Sequence, residues 1–213
     1  MKKFFKAVNI KVYEFKFLLF INCLFLSFFC GGAGVSLSAD YQKGLSAALG
    51  GDYKTALRNW KALAQEGNAF AQYNLGLMYS QGNGVPRNYK TARKWYTLSA
   101  KQGFAFAQSN LGFMYDIGEG VAQDAKTAVR WYSLAAKQGN PIAQTNLGLK
   151  YANGQGVLKN NIRAHMWFNI AALYGGKGAI KNRIKISKLM SPSQIKTARS
   201  LVSYCIKNKF NGC

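Results

Sequence analysis

Acidic side chains are scarce in this sequence: its 213 residues include 7 Asp and Glu against 29 Lys and Arg, a formal net charge of +22. The imbalance is strongest in residues 143–213, which contain 12 Lys or Arg and no Asp or Glu. Such a segment should attract polyanions over long range. Asp116, Glu119 and Asp124 do cluster, but they lack the spacing of a calcium-binding loop, so we expect them to be solvated surface residues.

Metal ligands are also few. The chain has one histidine, His165, and four cysteines, of which two lie in the first 39 residues. The remaining two, Cys205 and Cys213, are too few for a zinc site, so we expect no metal and no cofactor. An even pair in an exported chain predicts a disulfide, with two free thiols as the alternative. His165 has no Ser, Cys or carboxylate nearby in sequence, which favours a structural role.

The apolar run at residues 17–29 is too short to span a bilayer comfortably, because a spanning helix needs about 20 apolar residues. Five lysines precede this run, and small residues follow it up to Ala39. This order is typical of a secretory signal peptide over residues 1–39, cleaved near Ala39. The mature protein would then be periplasmic or secreted, without a stable membrane span. The alternative is an uncleaved leader that anchors the protein to the inner membrane.

Internal repetition dominates the rest of the chain. The segments that begin at Ala71, Ala107 and Ala143 align without gaps at a period of 36 residues, and residues 52–68 match the second half of an earlier copy. Each copy predicts two helices, because apolar residues recur three and four positions apart on both sides of a Gly-x-Gly turn. The resulting fold is an all-α solenoid of helix pairs with helical caps. Its expected divisions are N-terminal cap helices at 40–66, repeats at 67–106, 107–142 and 143–178, and basic C-terminal cap helices at 179–213.

Three glycines recur in the middle of the first helices, at Gly76, Gly112 and Gly148. Each costs about 1 kcal/mol of helix stability relative to Ala. We therefore expect each to permit the close approach of a partner helix, whose aromatic side chains fill the space. The aromatic pairs of the second helices, such as Trp131 and Tyr132, are expected to be buried.

The repeated motif A-x-x-x-L-G-x-x-Y, followed by G-x-G-V and A-x-x-W-Y/F, resembles the Sel-one-like repeat family, which is related to tetratricopeptide repeats. The resemblance covers residues 51–175. It implies an α/α solenoid that acts as an adaptor in the cell envelope. The third copy departs from the motif, since Lys150 replaces Met, and its outer face is expected to act as a cap.

One motif suggests chemistry: Ser193 and Lys196 match S-x-x-K, the nucleophile motif of penicillin-recognising enzymes. Some cysteine-rich relatives of the family have been linked to β-lactam hydrolysis. The companion S-D-N and K-T-G motifs are absent, however, so we expect a helix start rather than an enzyme. Ser191 is the predicted N-cap of that helix, and Gln194 is in the position that completes a capping box. A β-lactam-hydrolysing activity remains the remote alternative.

Two surfaces are therefore candidates for binding. The first is an apolar row on the first helices, which either binds a partner or packs on neighbouring helices; the second is the basic region near the C-terminus. The row consists of Tyr73, Leu77, Phe113 and Leu149, and the basic set of Lys181, Arg183, Lys185 and Lys188.

The leading hypothesis is a non-enzymatic, monomeric scaffold that binds proteins of the bacterial envelope. The alternative is an anion-binding envelope protein that holds a cell-wall polymer, lipopolysaccharide or an acidic polysaccharide. Nucleic acid is not an expected partner, because the chain is expected to be exported and its basic stretch lacks interleaved aromatic residues.

Overall fold

The computed structural model describes residues 39–213, and every regular element in that range is an α-helix. The predicted signal peptide falls on residues 1–38 and so lies outside the described residues. The ten helices of the described range are α1 (Ala39–Gly50), α2 (Tyr53–Gln65), α3 (Ala69–Gln81), α4 (Tyr89–Lys101), α5 (Ala105–Ile117), α6 (Ala125–Lys137), α7 (Pro141–Asn153), α8 (Asn161–Leu173), α9 (Ala179–Ser187) and α10 (Pro192–Lys207).

The described residues divide into two compact units, with the boundary between Leu63 and Ala64. In the first unit, Trp60 is fully buried and its ring lies 6.2 Å from that of Tyr41. Gly44 lies directly against this indole, since a Cβ on Gly44 would come within 2.5 Å of Trp60 Nε1. The pairing of a helix glycine with an aromatic ring therefore occurs already in α1 and α2.

The second unit is a run of helix pairs. Helices α3 and α4, α5 and α6, and α7 and α8 form the pairs; α4 packs on α5, α6 packs on α7, and α9 and α10 both pack on α8. This arrangement confirms the all-α solenoid predicted from the period.

Local signals set the helix ends as expected. The second helix of each pair begins after Asn88, Asp124 or Asn160, whose side chain accepts a hydrogen bond from a backbone N–H of the first turn. The first helices end at glycines in the left-handed region, for example Gly118 with φ 79°. The C-terminal helix α10 begins at a capping box, in which Ser191 and Gln194 cap each other as the sequence predicts.

The repeated mid-helix glycines give space to aromatic rings, which confirms the expectation. In α5, a Cβ added to Gly112 would lie 2.8 Å from the ring of Tyr132 in α6. The equivalent distances are 2.5 Å for Gly76 against Tyr96 and 2.7 Å for Gly148 against Phe168. Because such contacts are shorter than a Cβ tolerates, glycine is required wherever the ring packs flat on the helix.

The expectation that Trp131 is a core residue is wrong. Trp131 is only partly buried, whereas its neighbour Tyr132 has no exposed surface. Adjacent residues on a helix point about 100° apart, so both rings cannot face Gly112. The same division holds in the preceding repeat, where Trp95 is partly buried and Tyr96 is buried.

A ladder of glutamine side chains connects successive repeats, and the sequence reading missed it. Gln108 donates its Nε2–H to the carbonyl of Ala100 at 3.2 Å, and Gln138 donates to Oε1 of Gln108 at 2.8 Å. Gln72 and Gln102 repeat the pattern one period earlier. One period later the donor position is Tyr174, so Oε1 of buried Gln144 lacks a hydrogen-bond partner among the described residues. The ladder therefore stops at the third repeat.

The expectation that Asp116 is a solvated surface residue is also wrong. Its carboxylate forms an ion pair with Lys150, and the two side chains are 19% and 8% exposed. Lys150 also donates to Oε1 of Gln155 at 3.1 Å. The lysine that departs from the repeat motif thus lies inside the solenoid and connects the second repeat to the third.

Candidate functional site

The apolar row on the first helices is only partly accessible. Tyr73 is buried, and its ring lies 5.1 Å from that of Phe104 in an edge-to-face contact. Leu77 is also buried, and Leu149 is partly buried against the cluster around Phe168. Of the four predicted residues, Phe113 alone is exposed, at 42%.

A smaller apolar surface remains on α5. Phe113 and Ile117 lie four residues apart on the same face of the helix, and Ile117 is 45% exposed. Helix α5 contacts α7, the first helix of the next pair, which carries Leu149. We call the surface formed by Phe113 and Ile117 the α5 patch. Exposed apolar side chains are common on proteins, but neighbouring ones on a repeat surface can form a binding site.

The basic residues predicted near the C-terminus do not all face the same way. Lys181 and Lys185 of α9 are exposed. Arg183 is partly buried and donates from Nη1 to Oδ1 of Asn169 at 2.6 Å. Lys188 follows α9 as its C-cap residue.

A cleft of about 380 Å³ lies between α8, α9 and α10, and three of its seven lining residues are cationic. Arg183 and Lys188 come from α9 and its C-cap, Arg199 from α10, and His165 from α8. Lys181 and Lys185 do not line it. The remaining lining residues are Asn169, Ile184 and Ser187.

His165 is 3% exposed and forms part of the cleft wall. Burial lowers the pKa of the His165 imidazole, and the positive charges of Arg183 and Arg199 lower it further. The imidazole is therefore neutral near pH 7. The sequence reading assigned His165 a structural role and missed Arg199, because nothing in the sequence shows that the three helices meet.

The S-x-x-K match lies in the first turn of α10. Ser193 and Lys196 are both exposed, and Ser193 Oγ lies 2.8 Å from Oγ of Ser191 in a hydrogen bond. Ser193 is thus engaged with the residue that caps the helix, as a capped helix start requires. Residues 39–213 contain no group of three or more His, Cys, Asp or Glu placed to hold a metal ion.

The two cysteines near the C-terminus lie close enough for a disulfide, with Cα atoms 5.8 Å apart. Cys205 is buried in α10 and Cys213 is partly buried. Between them the chain turns back through Lys209 and Phe210, both at positive φ, and the Phe210 ring packs against that of Tyr174 at 6.0 Å.

Among residues 39–213, no helix combines the length and apolar character that a membrane span needs.

This chain is in the class of α/α solenoid repeat proteins. The features that define it are the repeated helix pairs, their contacts between glycine and aromatic residues, and the glutamine ladder. The Sel1 repeat model matches residues 69–104, 105–140 and 141–182, more than half of the chain. The chain therefore belongs to the Sel1 repeat family. Membership implies a scaffold for protein–protein interaction, and proteins of this family are generally not enzymes.

Solved structures support the same fold. A Sel1 repeat protein from Oxalobacter formigenes is 36% identical and superposes with a TM-score of 0.56, over 61% of this chain and 98% of that one. The protein c5321 is a protective antigen present in uropathogenic Escherichia coli strains. It is 27% identical, with a TM-score of 0.51, over 80% of this chain and 45% of its own length. No curated protein sequence matches the chain significantly.

Proposed function

We propose that the protein is a non-enzymatic adaptor of the bacterial envelope that binds another protein through the α5 patch. The observation that supports this function is the pair of exposed apolar side chains on α5, Phe113 and Ile117, on the first helix of the central repeat. The partner expected here presents an apolar segment, because the patch offers mainly hydrocarbon and aromatic surface.

Site-specific photo-crosslinking tests this function. A photoreactive phenylalanine analogue at position 113 should capture a partner in intact cells, and the same analogue at Leu134 should not. Leu134 is a suitable control because it is equally exposed, at 47%, but lies on α6. Changing Phe113 and Ile117 to Asp should weaken binding of the captured partner at least about 30-fold, the size of effect expected for a central interface residue. Equal capture at positions 113 and 134 would contradict the proposal.

The export of the protein is part of this proposal and leads to a prediction about Cys205 and Cys213. If the chain reaches an oxidising compartment, the two cysteines should be joined. Intact protein from the cell envelope should then take up no alkylating reagent before reduction and two equivalents afterwards. The Cys213→Ser variant should lose about 2–3 kcal/mol of unfolding free energy, because the bond closes a short loop in the unfolded chain.

The control for this prediction is the chain expressed without residues 1–39 in the cytoplasm, which should retain two free thiols. Two reactive thiols in protein taken from the envelope would show that the bond is absent. That result would also count against export.

A second candidate function is the binding of an acidic envelope polymer by the C-terminal region. It is favoured by residues 143–213, which have no acidic side chain, and by exposed Lys181, Lys185 and Lys188 with partly buried Arg183. Attraction of this kind weakens with added salt, whereas binding through the α5 patch should depend on salt only slightly. Salt dependence therefore separates the two candidates.

A further inference from the structure

The cleft between α8, α9 and α10 concentrates positive charge at one point. Arg183, Lys188 and Arg199 all line it, and they come from two helices that both pack on α8. In the described residues the salt bridges are Lys43 with Asp40 and Lys150 with Asp116. No carboxylate therefore forms a salt bridge with the cleft cations within residues 39–213. Like charges held together without a counter-charge repel one another, and a bound anion would relieve this repulsion.

His165 provides a second and independent observation. His165 is 3% exposed, and its Nδ1 atom has no hydrogen-bond partner among the described residues. Buried polar atoms are rarely left unpaired, because such an atom loses its bond to water without replacement. A neutral imidazole can act as donor or acceptor, and in the cationic form both nitrogens donate. A ligand oxygen in the cleft would give this nitrogen the partner that the protein does not supply.

We propose that this cleft binds a phosphate monoester carried on a small polar molecule, such as a sugar phosphate. Two guanidinium groups match the oxygens of phosphate, which accept paired hydrogen bonds from the arginine fork. A dianion suits three cations better than a carboxylate does. The volume of about 380 Å³ is within the range of small-molecule sites and exceeds what one phosphate group needs. Asn169 and Ser187 can serve the polar remainder of the ligand, and Ile184 adds an apolar contact surface.

This proposal deepens the second candidate function, since it replaces general attraction between polymer and basic surface with one defined site. It does not depend on the α5 patch. Two charge-matched double variants separate the defined site from general attraction. Arg183→Gln with Arg199→Gln removes two charges from the cleft, and Lys181→Gln with Lys185→Gln removes two charges from the exposed face of α9.

Isothermal titration calorimetry of the full chain with glucose 1-phosphate, inorganic phosphate and glucose is the first measurement. Glucose 1-phosphate should bind most tightly and glucose should not bind. The arginine pair should reduce affinity on the order of 100-fold, about tenfold for each charged hydrogen-bond donor lost. The lysine pair should change it by about twofold or less at physiological salt. Both variants alter side chains with exposed or partly exposed surface, and circular dichroism will verify that they fold.

The imidazole signal in NMR is the second measurement, and it reports on the cleft alone because the chain has one histidine. Saturation with glucose 1-phosphate should raise the titration midpoint of His165. The negative charge of the ligand offsets the positive charges of Arg183 and Arg199, which lower the pKa of the imidazole. Glucose should leave the midpoint unchanged. A midpoint that glucose 1-phosphate does not move would overturn the proposal even if calorimetry detects binding.

The same chemistry could come from a soluble molecule or from a lipid head group, and vesicles distinguish these sources. The protein is mixed with phosphatidylcholine vesicles that contain phosphatidic acid, and co-sedimentation is measured. Co-sedimentation that the arginine double variant loses and the lysine double variant keeps would identify a lipid phosphate. Calorimetric binding of glucose 1-phosphate without co-sedimentation would identify a soluble one. Equal losses in the two double variants would show general attraction instead, which would overturn the defined site and leave the polymer-binding candidate standing. Absence of binding to every phosphate probe would also overturn it.

Discussion

Replacing Tyr132 with Ala should lower the free energy of unfolding by about 3–5 kcal/mol, the usual loss for truncation of a buried aromatic residue. Tyr132 is fully buried, and its ring fills the space that Gly112 leaves open on α5. Truncation would leave a cavity between the two helices of the central pair. Urea unfolding followed by circular dichroism measures the loss. Since each repeat contacts only its neighbours, damage to the central repeat should also make the transition less cooperative.

Three further variants, one at Tyr132 and two at nearby positions, identify the cause of this loss of stability. Tyr132→Phe removes the hydroxyl alone and should cost no more than about 1 kcal/mol. Trp131→Ala, at a partly buried position, should cost clearly less than Tyr132→Ala. Leu134→Ala, at a position 47% exposed, should remain within about 0.5 kcal/mol of the parent. If Trp131→Ala proves as damaging as Tyr132→Ala, the assignment of the inner ring is wrong.

Replacing Asp116 with Asn should lower the free energy of unfolding by about 3–5 kcal/mol, because it leaves the Lys150 ammonium buried without a carboxylate. The Lys150 side chain is 8% exposed, and besides its contact with Asp116 its ammonium group donates a hydrogen bond to Oε1 of Gln155. Burial is the main cause that raises the pKa of Tyr132, and the charge of Asp116 raises it further. The same change removes that second contribution. Thermal or urea unfolding measures the loss, which should persist at high salt because buried pairs are weakly screened.

The repeats themselves supply the matched control for this pair. One period earlier the two positions are Ser80 and Met114, an uncharged combination at the equivalent places in the repeat. Asp116→Ser together with Lys150→Met should therefore recover most of the stability lost in Asp116→Asn, and replacement of a buried ion pair by well-packed residues is often neutral or stabilising. Additive losses in the double variant would indicate that the two residues do not interact.

Local chemistry explains how far the sequence predicts the fold. The Gly-x-Gly turns, the Ser191 capping box and the mid-helix glycines were each predicted from neighbouring residues, because caps and turns depend on backbone groups within a few positions. Repetition added the pairing of Gly112 with an aromatic ring. The glutamine ladder was also visible as an Ala-Gln pair at the start of each copy and a Lys-Gln-Gly at the end of the first two. Its hydrogen bonds cross between repeats, however, and were not inferred.

The candidate sites were less predictable. Phe113 is exposed as the apolar row requires, but Tyr73 lies in an aromatic cluster whose members come from different helices. Of the four basic residues proposed near the C-terminus, the cleft includes Arg183 and Lys188 and adds Arg199 and His165. Charge composition located the basic region correctly, but it does not record which way each side chain points.

The sequence by itself determined the repeat period, the helices with their ends, and the solenoid class, because each depends on local patterns that recur every 36 residues. Tertiary structure decided what those patterns leave open. It placed Tyr132 rather than Trp131 against Gly112. The hydrophobic periodicity does not distinguish two adjacent aromatic residues, so the sequence left this choice open. It buried Lys150 by bringing Asp116 to it from the preceding repeat. It also formed the cationic cleft from α8, α9 and α10. The cations of the cleft, Arg183, Lys188 and Arg199, lie outside the three repeats and meet only when the helices pack together.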